Sequence, residues 1–373
     1  MNQLVDIPGW RFAGRLPGMH IDDLDTPCLL LDLDKVQANI ATMMGMIAGT
    51  GVSLRPHFKT PKCPQVAKLQ LDAGAIGITV AKLGEAEVLA DAGLGPILMA
   101  NQVVGPQKVD RLMALLARGV DITTAVETEF NIRQLADGAR RSGQKPAAVI
   151  EVDAGLRRCG SPAPEETVRL ARLLIENGID YRGIMGYEGH MYGQPDPAAR
   201  EQLIRDSLAI VNTHVEALAE AGLAPAVVST SGTASVPIAA RTPGVTELQA
   251  GTYVFHDSHN EEFIPNTFQQ ALTLLTTVIS VKERYAVADT GAKSLTNEFG
   301  PPMSVDGRIK VARLSEEHAT LTGEGVAFLK PGDRIEVIPS HGDTTLNMHD
   351  VYYVRRGGEV VDTWPILAAR KFR

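Results

Sequence analysis

Between residues 50 and 255 the chain repeats one rhythm eight times: a short apolar run rich in β-branched residues, then a longer segment of helical period. Few folds accommodate that alternation. The runs fall at 52–58 (VSLRPHF), 75–81 (AIGITVA), 96–101 (PILMAN), 121–127 (DITTAVE), 147–153 (AAVIEVD), 183–188 (GIMGYE), 226–231 (AVVSTS) and 247–253 (ELQAGTY). Segments such as LGEAEVLADAG, PQKVDRLMALLARG and PAAREQLIRDSLAIVNTHVEALAEAG lie between them. Several stop at a glycine, among them Gly74, Gly93, Gly119, Gly143, Gly178 and Gly222, where a helix end favours that residue. Eight strands alternating with helices predict an α/β fold, a (β/α)8 TIM-type barrel.

One more strand, CLLLDLD at 28–34, and its helix precede the barrel and either extend it or cover its end. Past about residue 265 the helical period nearly vanishes. ALTLLTTVISV, YAVADTG, DGRIKVARL, HATLTGEG, DRIEVIPSHGD, VYYVRRGG and EVVDTW read as short strands separated by turn residues. The expected organisation is a barrel over residues 26–265 and an all-β domain over 266–373, with residues 1–25 as candidates to pack on the latter.

The net charge of −8 carries no block of like sign, which argues against a nucleic-acid or anionic-membrane partner. No apolar run approaches the roughly 18 residues of a membrane helix, and MNQLVDIPGW lacks the pattern of a signal peptide. Three widely spaced cysteines, Cys28, Cys63 and Cys159, read as reduced thiols of a cytoplasmic protein.

The first barrel strand ends in RPHFKTPKC. In such barrels the C-terminal strand ends build the active site. Lys59, near Arg55 and Lys62 and partly desolvated, would have a lowered pKa and could act as a nucleophilic amine that forms a Schiff base. His57 shares its face two residues earlier. A Schiff-base lysine needs a carbonyl partner, and pyridoxal phosphate is one. Its phosphate calls for a Ser/Thr/Gly loop at a helix start, which STSGTAS supplies after the seventh strand. EVDAGLRRCG places Asp153, Arg157 and Arg158 after the fifth strand, and GYEGHMYG places Tyr187, Glu188 and His190 after the sixth. Any one of these is an ordinary polar loop; four together describe a site. In PSHGDTTLNMHD, His341 and Asp343 share a face at strand spacing and suit an open divalent-cation site, with His349 and Asp350 as alternative ligands.

With these residues in view, the chain resembles the D-threonine aldolase/D-serine dehydratase family, within the alanine-racemase-like fold type III of pyridoxal-phosphate enzymes. The resemblance spans TPCLLLDLDKVQANI, RPHFKTPKC, GEAEVLADAG, ANQVVGP, EVDAGLRRCG, TELQAGTYVFHD, DTGAK, FGPP and PSHGDTTLNMHD. It implies a homodimer, Lys59 as the cofactor lysine, and Arg158 beside the cofactor ring. It also implies cofactor contacts from Tyr187, Thr230, Ser231, Gly232, Thr233, Ala234 and Tyr253, and a divalent metal on His341 and Asp343. Family dehydratases tend to carry Cys at position 343 and use zinc. An Asp there is a harder oxygen ligand suited to manganese or magnesium, and it favours aldol chemistry. The chain departs from the family pattern in three places: Pro61 replaces the second histidine of RPHxKxHKC, YEG replaces YHG, and TSGTAS replaces GGGTGS.

The activity implied is cleavage of a D-3-hydroxy amino acid to glycine and an aldehyde. Lys59 holds the cofactor, the metal acidifies the 3-hydroxyl, and His190, Glu188 or His57 takes the proton. Competing readings are elimination to a 2-oxo acid and ammonia, a narrower 3-hydroxyaspartate aldolase, racemisation, and a non-enzymatic pyridoxal-phosphate carrier.

Overall fold

A computed structural model describes residues 18–373. The signal-peptide reading and most of the 1–25 segment therefore lie outside the described residues. The chain divides into two compact units. One comprises residues 44–59, 67–251 and 371–373; the other comprises 18–43, 60–66 and 252–370.

All eight expected barrel strands form, as Ser53–Leu54, Ile78–Val80, Ile97–Gln102, Ile122–Val126, Ala147–Val152, Asp180–Gly186, Val227–Thr230 and Glu247–Leu248. Every pairing among them is parallel, and the first strand lies beside the eighth. The strands are buried on both faces, which is why they read as continuous apolar runs; all six residues of Ala147–Val152 are buried. The first strand is assigned over only two residues, but its N–H bonds to the eighth run on past Pro56, from Arg55 to Leu248 at 2.9 Å and from His57 to Ala250 at 3.2 Å. The sheet closes just beyond it through an isolated bridge between His57 and Thr79. There Phe58 donates its N–H to Thr79 at 2.7 Å, and Thr79 donates to Pro56 at 2.9 Å.

Helices pack outside the strands. Proline opens four of them, Pro64–Asp72, Pro106–Ala117, Pro164–Glu176 and Pro197–Glu220. The six glycines read as helix stops all have positive φ. At Gly143 (φ 73°) the N–H closes the helix onto Ala139.

The second unit holds a nine-stranded sheet. The seven strands expected after residue 265 are present, together with a short strand Met303–Ser304. Leu272–Val281 pairs with Ala286–Ala288 and with Arg334–Ile338, and these pairings run through Ala319–Thr322, Lys310–Leu314 and Met303–Ser304 to complete a ring of six antiparallel strands. Cys28–Asp32 belongs to this sheet. It pairs antiparallel with Leu272–Leu275 and parallel with Tyr352–Arg355. Its burial explains the placement: Leu29, Leu30 and Leu31 are fully buried, and Ile21, Leu24, Cys28, Leu30, Leu275 and Val360 form one apolar cluster. The unit boundary thus differs from a cut at residues 26 and 265. Gly18 and Ile21 also bond to this sheet, through Val360 and Gly358.

Two predictions follow from the barrel's interior contacts. Arg55 and Glu247, on adjacent strands, form a bidentate ion pair at 3.0 and 2.9 Å, with side chains 14% and 4% exposed. Arg55→Met leaves the Glu247 carboxylate buried and uncompensated, at a cost of about 3–5 kcal/mol. The double variant with Glu247→Leu recovers much of that loss, as read from urea midpoints. His214 is buried and bonded through Nδ1 to Thr167 at 2.7 Å, and burial holds its pKa below the usual histidine value. The unfolded chain therefore binds the proton first as pH falls, so this contribution to stability is present above about pH 6.5 and is lost below it. His214→Gln flattens the urea midpoint between pH 7 and pH 5 relative to the parent protein.

Candidate active site

Because the barrel strands are parallel, their C-terminal ends lie at one end of the barrel, and the loops leaving them carry the expected residues. Lys59 stands in the turn after the His57 bridge, and its N–H donates to His57 Nδ1 at 3.3 Å. It is exposed rather than partly desolvated, because the pairing ends two residues before it. The expected crowd of cations is also thinner: Arg55 is neutralised by Glu247, and Lys62 belongs to the other unit, buried with a left-handed backbone (φ 48°).

After the fifth strand, Asp153 Oδ1 accepts the N–H groups of Gly155 (3.0 Å) and Arg157 (2.9 Å). This folds DAGLRR into a tight turn. The Arg158 guanidinium lies 5.7 Å from the centre of the Tyr187 ring and 3.5 Å from Glu151 Oε1. Glu151 was not singled out in the sequence, although a glutamate inside the apolar run AAVIEVD was a visible signal. It is buried and also bonded to Gln102. Burial pushes its carboxyl up against the opposing pull of Gln102 and Arg158.

Tyr187 lies flat against the loop after the seventh strand. A Cβ added at Gly232 would sit 3.2 Å from its ring, and one at Gly189 would overlap the ring. That loop is the STSGTAS segment. Ser231 adopts φ 80° without being glycine, a conformation costing on the order of 1–3 kcal/mol. Thr230, Ser231 and Thr233 are buried and Ala234 is half-buried. Glu188, expected as a candidate base, is 1% exposed; it accepts hydrogen bonds from Thr230 Oγ1 at 3.1 Å and from Ser235 Oγ. His190 rests against Gly155, with Nε2 3.4 Å from Ser207 Oγ, and its Nδ1 is buried without a hydrogen-bond partner. Tyr253, expected beside the cofactor, is fully buried in the other unit with its ring 5.8 Å from Phe268.

The second unit carries His341 and Asp343. They share no strand: Arg334–Ile338 ends first, His341 caps the short helix Gly342–Leu346, and Asp343 lies in its first turn. The strand-spacing argument for the pair is thus replaced by helix-start geometry. His341 Nδ1 is bonded to Asp257 at 3.2 Å, so Nε2 is the ring atom available to a ligand. Asp257 is buried and also accepts Gly342 N–H (2.8 Å) and both Asn260 donors. Burial alone would raise its carboxyl, but His341 and these donors hold it below the usual range. Burial likewise works against the charged imidazole of His341, yet Asp257 and Asp343 raise its pKa. Asp343 Oδ2 accepts from Thr60 at 3.2 Å, and its Oδ1 is buried with no hydrogen-bond partner. An orphaned carboxylate oxygen beside an oriented imidazole fits a divalent cation. No group of three such ligands occurs among the described residues, so water or substrate would complete the shell. The alternative pair is occupied: His349 bonds Ser294 O at 2.7 Å, and exposed Asp350 pairs with Arg370. Sequence reasoning missed Asp257 and Thr60. The D-x-x-N helix start of Asp257 was visible, but nothing local tied it to a histidine 84 residues away.

Two family models match the chain, "Alanine racemase, N-terminal domain" over residues 31–259 and "Putative serine dehydratase domain" over residues 271–355. The chain is 34% identical over 387 residues to a 3-hydroxy-D-aspartate aldolase of Paracoccus denitrificans (strain Pd 1222), covering 100% of both chains. It superposes on the crystal structure of D-threonine aldolase from Filomicrobium marinum with a TM-score of 0.91 at 32% identity, covering 95% of this chain and 98% of that one. It also superposes on a D-threo-3-hydroxyaspartate dehydratase variant in the metal-free form, with a TM-score of 0.85 at 29% identity, covering 93% and 98%. The chain belongs to the D-threonine aldolase/D-serine dehydratase-like family of the alanine-racemase-like fold.

Proposed function

We propose that this protein is a pyridoxal-phosphate- and divalent-metal-dependent lyase that cleaves D-3-hydroxy amino acids to glycine and an aldehyde. The observation that carries this reading is Asp343, whose buried Oδ1 has no hydrogen-bond partner and whose neighbour His341 is oriented by Asp257. An oxygen and a nitrogen donor suit manganese or magnesium, with zinc as a further option. The full-length likeness to an aldolase and the metal-free form of a related dehydratase support both parts of the assignment.

When bound, pyridoxal phosphate supplies a carbonyl for amine capture and a ring that takes up the electrons released as the Cα–Cβ bond breaks. Lys59 offers the amine that holds it. The loop Thr230, Ser231, Gly232, Thr233 and Ala234 takes the phosphate, Arg158 lies beside the ring, and Tyr187 backs the loop. His341 and Asp343 would hold the cation, which would supply Lewis acidity toward the substrate's 3-hydroxyl. Of the proposed bases, His190 has a ring nitrogen, Nδ1, without a hydrogen-bond partner, His57 Nδ1 accepts the Lys59 N–H, and each oxygen of Glu188 accepts a hydroxyl. The family resemblance supports a homodimer. The three free cysteines, two of them buried with thiols pushed up to about 12, support a reducing, cytoplasmic setting.

Two experiments test this reading. Lys59→Ala abolishes turnover and the absorbance of the protein-bound cofactor; full activity in that variant rejects the assignment. Incubation of the cofactor-loaded protein with D-threonine or D-3-hydroxyaspartate and manganese yields glycine and an aldehyde product. That yield is lost with chelator, restored by manganese, and absent with the L-substrates. Ammonia and a 2-oxo acid would instead identify a dehydratase.

A further inference from the structure

We propose that Glu188 is a positioning residue for the anion-holding loop, and not the proton acceptor that its place in GYEGH suggests. The inference rests on the reading that Thr230–Ala234 holds the cofactor's phosphate. The carboxylate has one oxygen on each end of the turn: Oε2 accepts from Thr230 Oγ1 at 3.1 Å, and Oε1 accepts from Ser235 Oγ. Glu188, Thr230 and Ser235 are each 1% exposed, so these hydroxyls have no water to compete for them. Donation by Ser235 to the carboxylate leaves its oxygen to accept the Gly232 N–H at 3.1 Å, and the Ser231 hydroxyl lies 3.0 Å from that same oxygen.

The clamp has a visible task. Ser231, between the two clamped residues, stands in a left-handed conformation (φ 80°) that glycine adopts without cost. A strained residue persists only where its surroundings over-determine it. Here the over-determination comes from one carboxylate bridging positions 230 and 235. Two of the three departures from the family pattern, glutamate in place of histidine in the sixth-strand motif and TSGTAS in place of GGGTGS, therefore belong to one arrangement. Each oxygen of this buried glutamate already accepts a hydroxyl of the loop, so its visible work is to hold the two ends of the turn.

The test compares pyridoxal phosphate with pyridoxal, which lacks the phosphate, by titrating apo-protein and following cofactor absorbance. Glu188→Ala is expected to weaken pyridoxal phosphate at least ten-fold and leave pyridoxal unchanged. Glu188→Gln, whose amide oxygen still accepts one hydroxyl, is expected to recover part of the loss. Should Glu188→Ala fail to fold, Ser235→Ala removes the bridging hydroxyl and is expected to show the same phosphate-selective loss. Unchanged affinity for pyridoxal phosphate, with turnover lost and one limb of its pH profile gone, would make Glu188 the base and overturn the proposal. A parent protein that binds pyridoxal as tightly as pyridoxal phosphate would overturn the loop's assignment, and the proposal with it.

Discussion

The barrel depends on a closure made with very little backbone. Its first strand has two regular ladder residues, Arg55 and His57 extend the bonding to the eighth strand, and the ring of strands is completed by hydrogen bonds among Pro56, Phe58 and Thr79. Phe58 anchors this stretch by burying its ring. The Arg55–Glu247 pair ties the same strand to its neighbour on the other side. Lys59 follows immediately, so the residue proposed to hold the cofactor is attached to the point where the sheet is joined. A lysine on a long loop would spend binding energy on being ordered; this one inherits its backbone position from the closure.

Each unit carries buried carboxylates, and each is satisfied in its own way. Glu247 has a guanidinium, Glu151 an amide and a distant guanidinium, Glu188 two hydroxyls, and Asp257 an imidazole with three N–H donors. Asp343 is the exception, with one oxygen bonded to Thr60 and the other unmatched. Among the described residues it is the one carboxylate with a buried oxygen left unmatched, and an orphaned carboxylate oxygen is costly unless a cation takes it.

The barrel is legible in the sequence because parallel strands buried on both faces leave continuous apolar runs, and because helix ends leave glycines. What escaped were pairings that local pattern cannot carry. Cys28–Asp32 looks like any other apolar strand; only its partners, more than 240 residues further on, assign it to the second sheet. The sixth strand starts at Asp180, before the expected run, because its first residues DYR lie at a partly exposed end where polarity is tolerated. His341 and Asp343 read as strand neighbours because IEVIPSHGD begins as a strand, and the change to a helix start comes after Pro339. Glu188 attracted attention for its chemistry, while its burial depended on a loop 42 residues away.

The shared strand also fixes an order of events during synthesis. Cys28–Asp32 leaves the ribosome early, yet its antiparallel partner begins at Leu272 and its parallel partner at Val351. Three consecutive leucines must therefore wait, unpaired, until residues more than 240 positions further on have been made. The residues of the eight barrel strands all emerge in that interval and can pair without them. Made before the eight barrel strands, it is among the last of the described strands to find its place, and until then it is an apolar edge for chaperones to shield.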